Sequence, residues 1–159
     1  MRDISNIWKY RYFRLAKEIS TWSKDPSTKV GAICIGDKGQ VLSQGYNGFP
    51  RSFHDDKNLY ENRQVKYKYI VHAEMNCIYH ATLNGVSLEN SSLFVYGLDV
   101  CSECAKAIVQ VGIKQVFTCS KPIVSDYWRE SFVITENIFK LGDIHYEKCD
   151  YESLSKYTS

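Results

Sequence analysis

The chain has 159 residues, of which 44% are hydrophobic and 24% are charged, a composition that predicts one globular domain over residues 1–159. Its net charge of +2 is too small to indicate a nucleic-acid-binding surface, which is usually strongly basic. No apolar run approaches the roughly 18 residues of a membrane span, and the N-terminus lacks the apolar segment of a signal peptide, so we expect a cytoplasmic protein with no membrane association.

The first half of the chain contains one predicted helix and two predicted strands. Apolar residues recur at helical intervals over residues 5–23 and stop before the turn cluster "SKDPST". "KVGAICIG" and "QVLSQGYNG" indicate two strands, joined as a hairpin around Asp37-Lys38-Gly39. Residues 50–68 are polar and irregular, so they are predicted to form a long loop, a kind of segment that is often functional.

Helices and strands alternate in the second half. A helix over 73–83 is followed by the strand "SLFVYGL", the helix "SECAKAIVQVG", the strand "KQVFTCS", the helix "DYWRESFVITENIFKLG" and a strand near "DIHYEK". Strands joined by helical crossovers are parallel. We therefore predict a three-layer α/β/α sandwich with a mixed five-stranded sheet, whose first two strands form an antiparallel edge. From about residue 150 the tail is predicted to be mobile.

Two short motifs suggest a metal site. Cys101 and Cys104 are three residues apart at the start of a helix, so one helical turn can present both thiolates to one ion. His72 also begins a helix and could supply a third ligand, leaving the fourth position of Zn²⁺ to water, as in catalytic sites. Glu74 is too close to His72 for a second bond to the same ion, but it could exchange a proton with that water. The alternative for His72 and Glu74 is a polar pair in the core.

The remaining candidate residues have plainer interpretations. Three cysteines fall inside predicted strands or helices and are expected to be small buried residues, namely Cys34, Cys77 and Cys119. Cys149 is expected to be a peripheral free thiol. Tyr127 and Trp128 are expected near a pocket or a subunit contact.

Four stretches carry a resemblance to a known family. They are "SKDPSTKVGA" (23–32), "GYNGFPR" (45–51), "KYKYIVHAEMNCIY" (66–79) and "CSECAKAIVQVGIKQV" (101–116). Together they resemble the cytidine deaminase superfamily, and the first two point to its deoxycytidylate (dCMP) deaminase branch. The resemblance implies hydrolysis of dCMP to dUMP, Zn²⁺ on His72, Cys101 and Cys104, and Glu74 as the proton shuttle. It also implies that Asn47 binds the sugar 3′-hydroxyl.

The same resemblance implies regulation and assembly. Many members form homo-oligomers, often hexamers, that are activated by dCTP and inhibited by dTTP, with Mg²⁺ accompanying the triphosphate. The candidate effector-binding residues are Tyr46, Asn47, Gly48, Arg51, Asp55 and Asp56. The chain departs from the family in having Val100 where a proline usually precedes the first cysteine. Valine leaves the ligand set intact, so the departure affects the expected shape of that turn alone.

The sequence leaves open which residues bind the substrate and to which class the substrate belongs. A phosphate could be received by Ser23, Lys24 and Lys29 at the first helix–strand turn, where hydroxyl, ammonium and backbone N–H groups come together, or these residues could form a solvated loop. Arg51 could bind a phosphate or an effector. A polynucleotide deaminase acting on tRNA or single-stranded DNA remains an alternative, although it would need a more basic groove. A non-catalytic zinc module used in assembly is a third hypothesis.

Overall fold

A five-stranded sheet forms the centre of the computed structural model, which describes residues 2–54, 56–122 and 125–158. The strands are β1 (Gly31–Ile35), β2 (Val41–Tyr46), β3 (Ser92–Gly97), β4 (Gln115–Ser120) and β5 (His145–Lys148). The helices are α1 (Asn6–Ser20), α2 (Lys57–Glu61), α3 (Arg63–Tyr69), α4 (Ala73–Leu83), α5 (Ser102–Gln110), α6 (Asp126–Leu141) and α7 (Tyr151–Leu154). Within the described residues, no helix is both long enough and apolar enough to span a membrane.

The strand order is β2-β1-β3-β4-β5. The strand β1 runs antiparallel to both β2 and β3, whereas β3, β4 and β5 are mutually parallel. The predicted antiparallel edge and parallel half are therefore confirmed. The parallel strands follow from the crossover helices α5 and α6, because a chain can return to the same end of a sheet only through such a connection.

Helices cover both faces of the sheet. On one face, α1 packs Phe13 and Ala16 against Ile33, Phe94 and Phe117. On the other face, a core with members from α4, α5 and α6 closes over the alternate residues of the same strands, including Ala32, Leu93 and Val95. This alternation is the period of two that a strand buried on both faces requires. The three-layer sandwich is confirmed, and Cys34, Cys77 and Cys119 are buried as predicted.

The prediction of a loop over residues 50–68 is partly wrong, because this stretch contains α2 and most of α3, separated by Asn62. Side-chain caps explain both helices. The Asp56 carboxylate accepts a hydrogen bond from the backbone N–H of Asn58, and the Asn62 side chain accepts from the N–H groups of Gln64 and Val65. Such caps stabilise short helices in a segment that has no clear hydrophobic periodicity.

The tail contains a short helix, and its mobility from about residue 150 stays a prediction. Residues Tyr151–Leu154 form α7, whose first turn is capped by the Asp150 side chain, which accepts from the backbone N–H of Ser153. Leu154 is buried against the α1 side of the sheet, and the Tyr151 ring lies 5.5 Å from that of Tyr10. The buried Leu154 and the contacts of the Tyr151 ring with Tyr10 and Tyr96 thus pack this segment against α1 and the sheet.

Close packing of β2 on α4 gives a stability prediction. A Cβ atom added at Gly45 would lie 2.3 Å from the backbone nitrogen of Cys77 and 2.5 Å from the carbonyl oxygen of Ala73. Both are backbone atoms of α4 and can move only with the helix. We expect Gly45→Ala to lower the free energy of unfolding by about 2–3 kcal/mol, measured by urea denaturation. Gly48→Ala is the control, since a Cβ there meets nothing within 4 Å; equal losses in both variants would contradict the prediction.

Candidate active site

Three side chains with metal-binding atoms meet where α4 and α5 begin. His72 is the N-cap residue of α4 and Cys101 is the N-cap residue of α5, and neither side chain caps its own helix. Cys104 follows in the first turn of α5. The Nδ1 atom of His72 lies 3.4 Å from the Cys101 sulfur and 3.5 Å from the Cys104 sulfur. The three candidate ligands predicted from the sequence are thus brought together by two adjacent helix starts.

These separations can be tested against tetrahedral zinc. Bonds of about 2.0–2.1 Å to nitrogen and about 2.3 Å to sulfur, at a tetrahedral angle, place the two ligand atoms roughly 3.6 Å apart. The observed nitrogen–sulfur distances agree with this value, and all three ligand atoms lie within 4.8 Å of one another. The three residues therefore fit a zinc ion, and with three protein ligands one coordination position stays open.

The two sulfurs and the imidazole are electrostatically coupled. Hydrogen bonds from Cys104 and then from His72 lower the pKa of the Cys101 thiol to about 4, against the effect of burial. Sharing that hydrogen bond with Cys101, together with burial, raises the pKa of Cys104. The pKa of His72 is raised mainly by its hydrogen bond to Cys101. These shifts favour the thiolate form of Cys101, which is the form in which a cysteine binds a metal.

Glu74 lies in the first turn of α4, two residues after His72, and only 4% of its surface is exposed. Burial raises the pKa of this carboxyl to about 7; nearby His72 opposes the rise and Cys101 adds to it. Glu74 is not part of the ligand cluster, but it lines the same pocket as His72 and Cys101. A buried carboxyl beside an open metal position has the placement of a general acid–base group.

Helix α6 holds the start of α5 in place. The Ser131 hydroxyl accepts a hydrogen bond from the backbone N–H of Ser102 at 2.9 Å, and the Thr135 hydroxyl donates to the carbonyl of Val100 at 2.9 Å. Val100 itself is completely buried in the core on this face of the sheet. The turn before Cys101 is thus fixed by an apolar contact and by a hydroxyl from α6.

A pocket of about 390 Å³ opens over His72 and Glu74. Its apolar lining includes Val30, Leu98 and Trp128. Tyr67, which also lines the pocket, stacks on Tyr127 with ring centroids 5.2 Å apart. This size and mixture of apolar walls with few polar groups is typical of small-molecule sites. The expectation that Trp128 lies near a pocket is confirmed.

Asn47 lies in this pocket, but its side chain also braces the neighbouring backbone. Its Oδ1 atom accepts from the backbone N–H of Val30 and its Nδ2 atom donates to the carbonyl of Thr28, both at 2.8 Å. One N–H and one lone pair of the amide stay available for a ligand. The position of Asn47 is compatible with the sugar contact that the family resemblance implies, and that role stays a prediction.

The residues predicted to receive a phosphate do not line the pocket. The Ser23 hydroxyl is buried and donates to the carbonyl of Asn47, and the Lys29 ammonium donates to the carbonyl of Ser23. Lys24 is exposed and outside the pocket lining. The N–H groups of Ser27 and Thr28, the backbone donors of this turn, both point to Oδ1 of Asp25. These donors of the first helix–strand turn are thus bonded to neighbouring groups of the protein.

The residues predicted to bind an effector are dispersed. Gly48 forms an antiparallel bridge with Val71, which places the "GYNG" stretch beside the residue that precedes His72. The Tyr46 carbonyl accepts from the Asn76 side chain. Arg51 lines a separate pocket of about 540 Å³ with residues of β2 and α4. Asp56 caps α2, and Asp55 lies outside the described residues.

Sequence reasoning missed one wall of the pocket. It is formed by four residues of α3 and its C-cap, at intervals of three and four, namely Arg63, Lys66, Tyr67 and Ile70. Asp25 also lines the pocket and pairs with Lys66. The helical spacing of the four residues is the one signal that could have indicated this wall.

The fold and the site together define a metal-binding α/β protein of the deaminase class, with the HxE and CxxC motifs each at a helix start. The family profile described as the cytidine and deoxycytidylate deaminase zinc-binding region matches residues 6–120. The chain belongs to this family.

Known proteins similar to the chain support the same assignment. The deoxycytidylate deaminase of Mus musculus is 34% identical over 154 residues, which cover 92% of this chain and 82% of the mouse protein. An uncharacterized deaminase of Aliivibrio fischeri is 35% identical over 140 residues, covering 86% of this chain and 90% of that protein. Among solved structures, dCMP deaminase from the cyanophage S-TIM5 in complex with dCMP and dUMP matches with a TM-score of 0.73 at 25% identity, over 92% of this chain and 100% of the phage chain.

Proposed function

We propose that this protein deaminates dCMP to dUMP by hydrolysis, with Zn²⁺ held by His72, Cys101 and Cys104. The observation that carries the proposal is the buried Glu74 carboxyl beside a His-Cys-Cys cluster, at the base of a pocket of about 390 Å³. The choice of dCMP as the substrate is supported by relatives named deoxycytidylate deaminase and by the similar phage enzyme in complex with dCMP and dUMP.

In the proposed reaction water is activated at the ion and Glu74 transfers protons. When bound, Zn²⁺ supplies a Lewis acid that makes a water molecule acidic near neutral pH. Glu74 accepts the proton that this water loses as its oxygen adds to C4 of cytosine, and it donates a proton to N3 of the ring. The remaining proton of the hydroxyl added at C4 is then transferred to the exocyclic nitrogen, the C4–N bond breaks and the C4 carbonyl forms, so that dCMP and water give dUMP and ammonia. A pKa near 7 suits a group that must both accept and donate.

The structure offers less support to the two other hypotheses. A purely structural zinc site closes with four protein ligands, and it has no use for a buried carboxyl beside an open position. A polynucleotide deaminase needs a basic groove for several phosphates, whereas the net charge of this chain is +2. We therefore infer a mononucleotide substrate.

A substrate comparison tests the proposal. We expect the zinc-loaded protein to convert dCMP, monitored by the loss of cytosine absorbance, and to leave a cytosine-containing single-stranded oligonucleotide unchanged. Metal removed with a chelator should abolish the rate, and added Zn²⁺ should restore it. Turnover of the oligonucleotide without turnover of dCMP would contradict the proposal and favour the polynucleotide hypothesis.

We further propose cytoplasmic homo-oligomers, hexamers by the resemblance, that are regulated by dCTP and dTTP with Mg²⁺. Arg51 supports an effector site apart from the substrate, because it lines a different pocket from Glu74. The dCMP assay repeated with each triphosphate and Mg²⁺ tests this regulation, and a hyperbolic rate that responds to neither would overturn it.

A further inference from the structure

A buried ion pair joins two distant segments at the pocket wall. The Lys66 ammonium lies 2.8 Å from Oδ2 and 3.0 Å from Oδ1 of Asp25, although the two residues are 41 positions apart in the chain. Asp25 is completely buried and Lys66 is 8% exposed. Buried charges are rare unless they are paired, and they are costly to separate. This contact therefore fixes where α3 can lie.

The Lys66 ammonium makes one more contact besides those with Asp25. Its third partner is the Ser27 hydroxyl, at 2.7 Å. Two of its three N–H donors bond to Oδ1 of Asp25 and to the Ser27 hydroxyl, whereas Oδ2 of Asp25 is a charge contact that makes no hydrogen bond. Lys66 therefore clamps α3 to the segment 25–28.

Asp25 organises the other side of the clamp. Its Oδ1 atom accepts from the backbone N–H groups of Ser27 and Thr28, at 2.9 and 3.2 Å, as well as from Lys66. Burial raises the pKa of Asp25, but the hydrogen bonds from Lys66, Ser27 and Thr28 outweigh it, so the pKa lies below its usual range. The carboxylate is thus charged at neutral pH and holds the turn and the helix together.

The clamp leaves one uncompensated cation on the same helix face. Arg63 is one turn before Lys66, lines the pocket and is exposed. Among the described residues it makes no hydrogen bond or ion pair. The charges of Asp25 and Lys66 cancel each other, so the α3 wall presents a net positive charge from Arg63. A guanidinium of this kind is the preferred partner of a phosphate.

We propose that Lys66 is a positioning residue: its ion pair with Asp25 clamps α3 so that Arg63 faces the phosphate of the nucleotide. The proposal rests on the proposed function, since it assumes a nucleoside monophosphate in the pocket. It places phosphate recognition on α3, in contrast to the turn that contains Ser23, Lys24 and Lys29.

The test compares dCMP with deoxycytidine, which has the same base and sugar but no phosphate. We expect Arg63→Gln and Lys66→Met each to lower kcat/KM for dCMP by about 10- to 100-fold, mainly through KM, because a charge-assisted hydrogen bond is lost. The kcat/KM for deoxycytidine should change by less than about threefold. Lys68→Met is the matched control, because Lys68 lies on α3 but outside the pocket; it should leave both substrates unaffected.

A double-mutant cycle distinguishes positioning from general destabilisation. If Lys66 acts through Arg63, then Lys66→Met should cause little further loss in an Arg63→Gln background. Lys66→Arg should restore most of the activity with dCMP. If Lys66→Met fails to fold, the combined Asp25→Asn and Lys66→Met variant removes both charges, keeps the side-chain oxygen that caps the turn, and should show the same selective loss.

Two results would overturn the positioning role. One is an equal loss of activity with dCMP and deoxycytidine, which indicates a structural role alone. The other is fully additive effects of Arg63→Gln and Lys66→Met. If the unmodified protein turns over deoxycytidine but gains nothing from the phosphate of dCMP, the proposed function fails for dCMP, and this is seen before any variant is made.

Discussion

Replacing Glu74 with glutamine should lower kcat for dCMP by about a thousandfold or more, while zinc content and dCMP binding stay close to those of the unmodified protein. Glutamine has nearly the same shape as glutamate, but its amide can neither accept the proton of the water nor deliver one to N3. General acid–base groups contribute roughly 10²- to 10⁴-fold to rates, and Glu74 is proposed to act in more than one proton transfer. The measurements are steady-state kinetics, metal analysis and calorimetric titration with dCMP.

The matched control for this variant is Glu18→Gln. Glu18 is exposed on α1, on the opposite face of the sheet from α4, so the same chemical change there should leave kcat unaltered. The thermal stability of Glu74→Gln should not fall, since an uncharged amide replaces a carboxyl whose ionisation is disfavoured by burial. A Glu74→Gln enzyme with full activity would remove Glu74 from the mechanism, and one that loses its zinc would show that Glu74 has a structural role instead.

The two cysteines of the candidate metal site could be predicted from the sequence because their geometry is local. Cys101 and Cys104 lie on one turn of α5, so their spacing alone places the two sulfurs together. His72 was linked to them by a weaker argument, since it begins a helix just as Cys101 does. The structure shows why this argument works: both residues are N-caps, and the two helix starts lie side by side over the sheet.

The α3 wall could not be predicted in the same way. Arg63 and Lys66 lie in a segment without hydrophobic periodicity, where a loop was expected. The ion pair from Lys66 to Asp25 joins residues 41 positions apart, and nothing in a single sequence indicates such a pairing. The prediction that Ser23, Lys24 and Lys29 receive a phosphate is limited for a related reason. Composition indicates that Ser23 and Lys29 are near a turn, but it does not indicate that their polar atoms are used by neighbouring carbonyl groups.

These differences share a physical cause. Periodicity reports which side of an element faces the core, and this was sufficient for the sheet, the sandwich and the buried cysteines. It contains no information on which donors and acceptors are satisfied internally. Among the pocket-lining groups of the described residues, the Glu74 carboxyl, the Arg63 guanidinium and part of the Asn47 amide are left over after that internal pairing, and we propose that they meet the substrate.

Replacing Cys104 with serine should remove zinc and activity together. A serine hydroxyl is close in size to the thiol, but it does not ionise near neutral pH, so it cannot replace a thiolate ligand. Loss of a partner that merely orients a ligand already lowers metal affinity by about 10- to 100-fold, and loss of a ligand should cost more. We expect zinc to fall from about one per chain to well below that at equal chelator concentration, and dCMP turnover to fall by about a thousandfold or more, as in Glu74→Gln.

Metal analysis and thermal unfolding separate this variant from the others. A chelator should lower the Tm of the unmodified protein, because a ligand that binds the folded state stabilises it, but it should leave the Tm of Cys104→Ser nearly unchanged. Cys149→Ser is the control, since Cys149 is a half-buried free thiol outside the site, and it should keep both zinc and activity. Zinc retained at full stoichiometry in Cys104→Ser would contradict the ligand assignment. Together with Glu74→Gln, which keeps zinc and loses catalysis, the two variants distinguish binding of the ion from the proton transfers that depend on it.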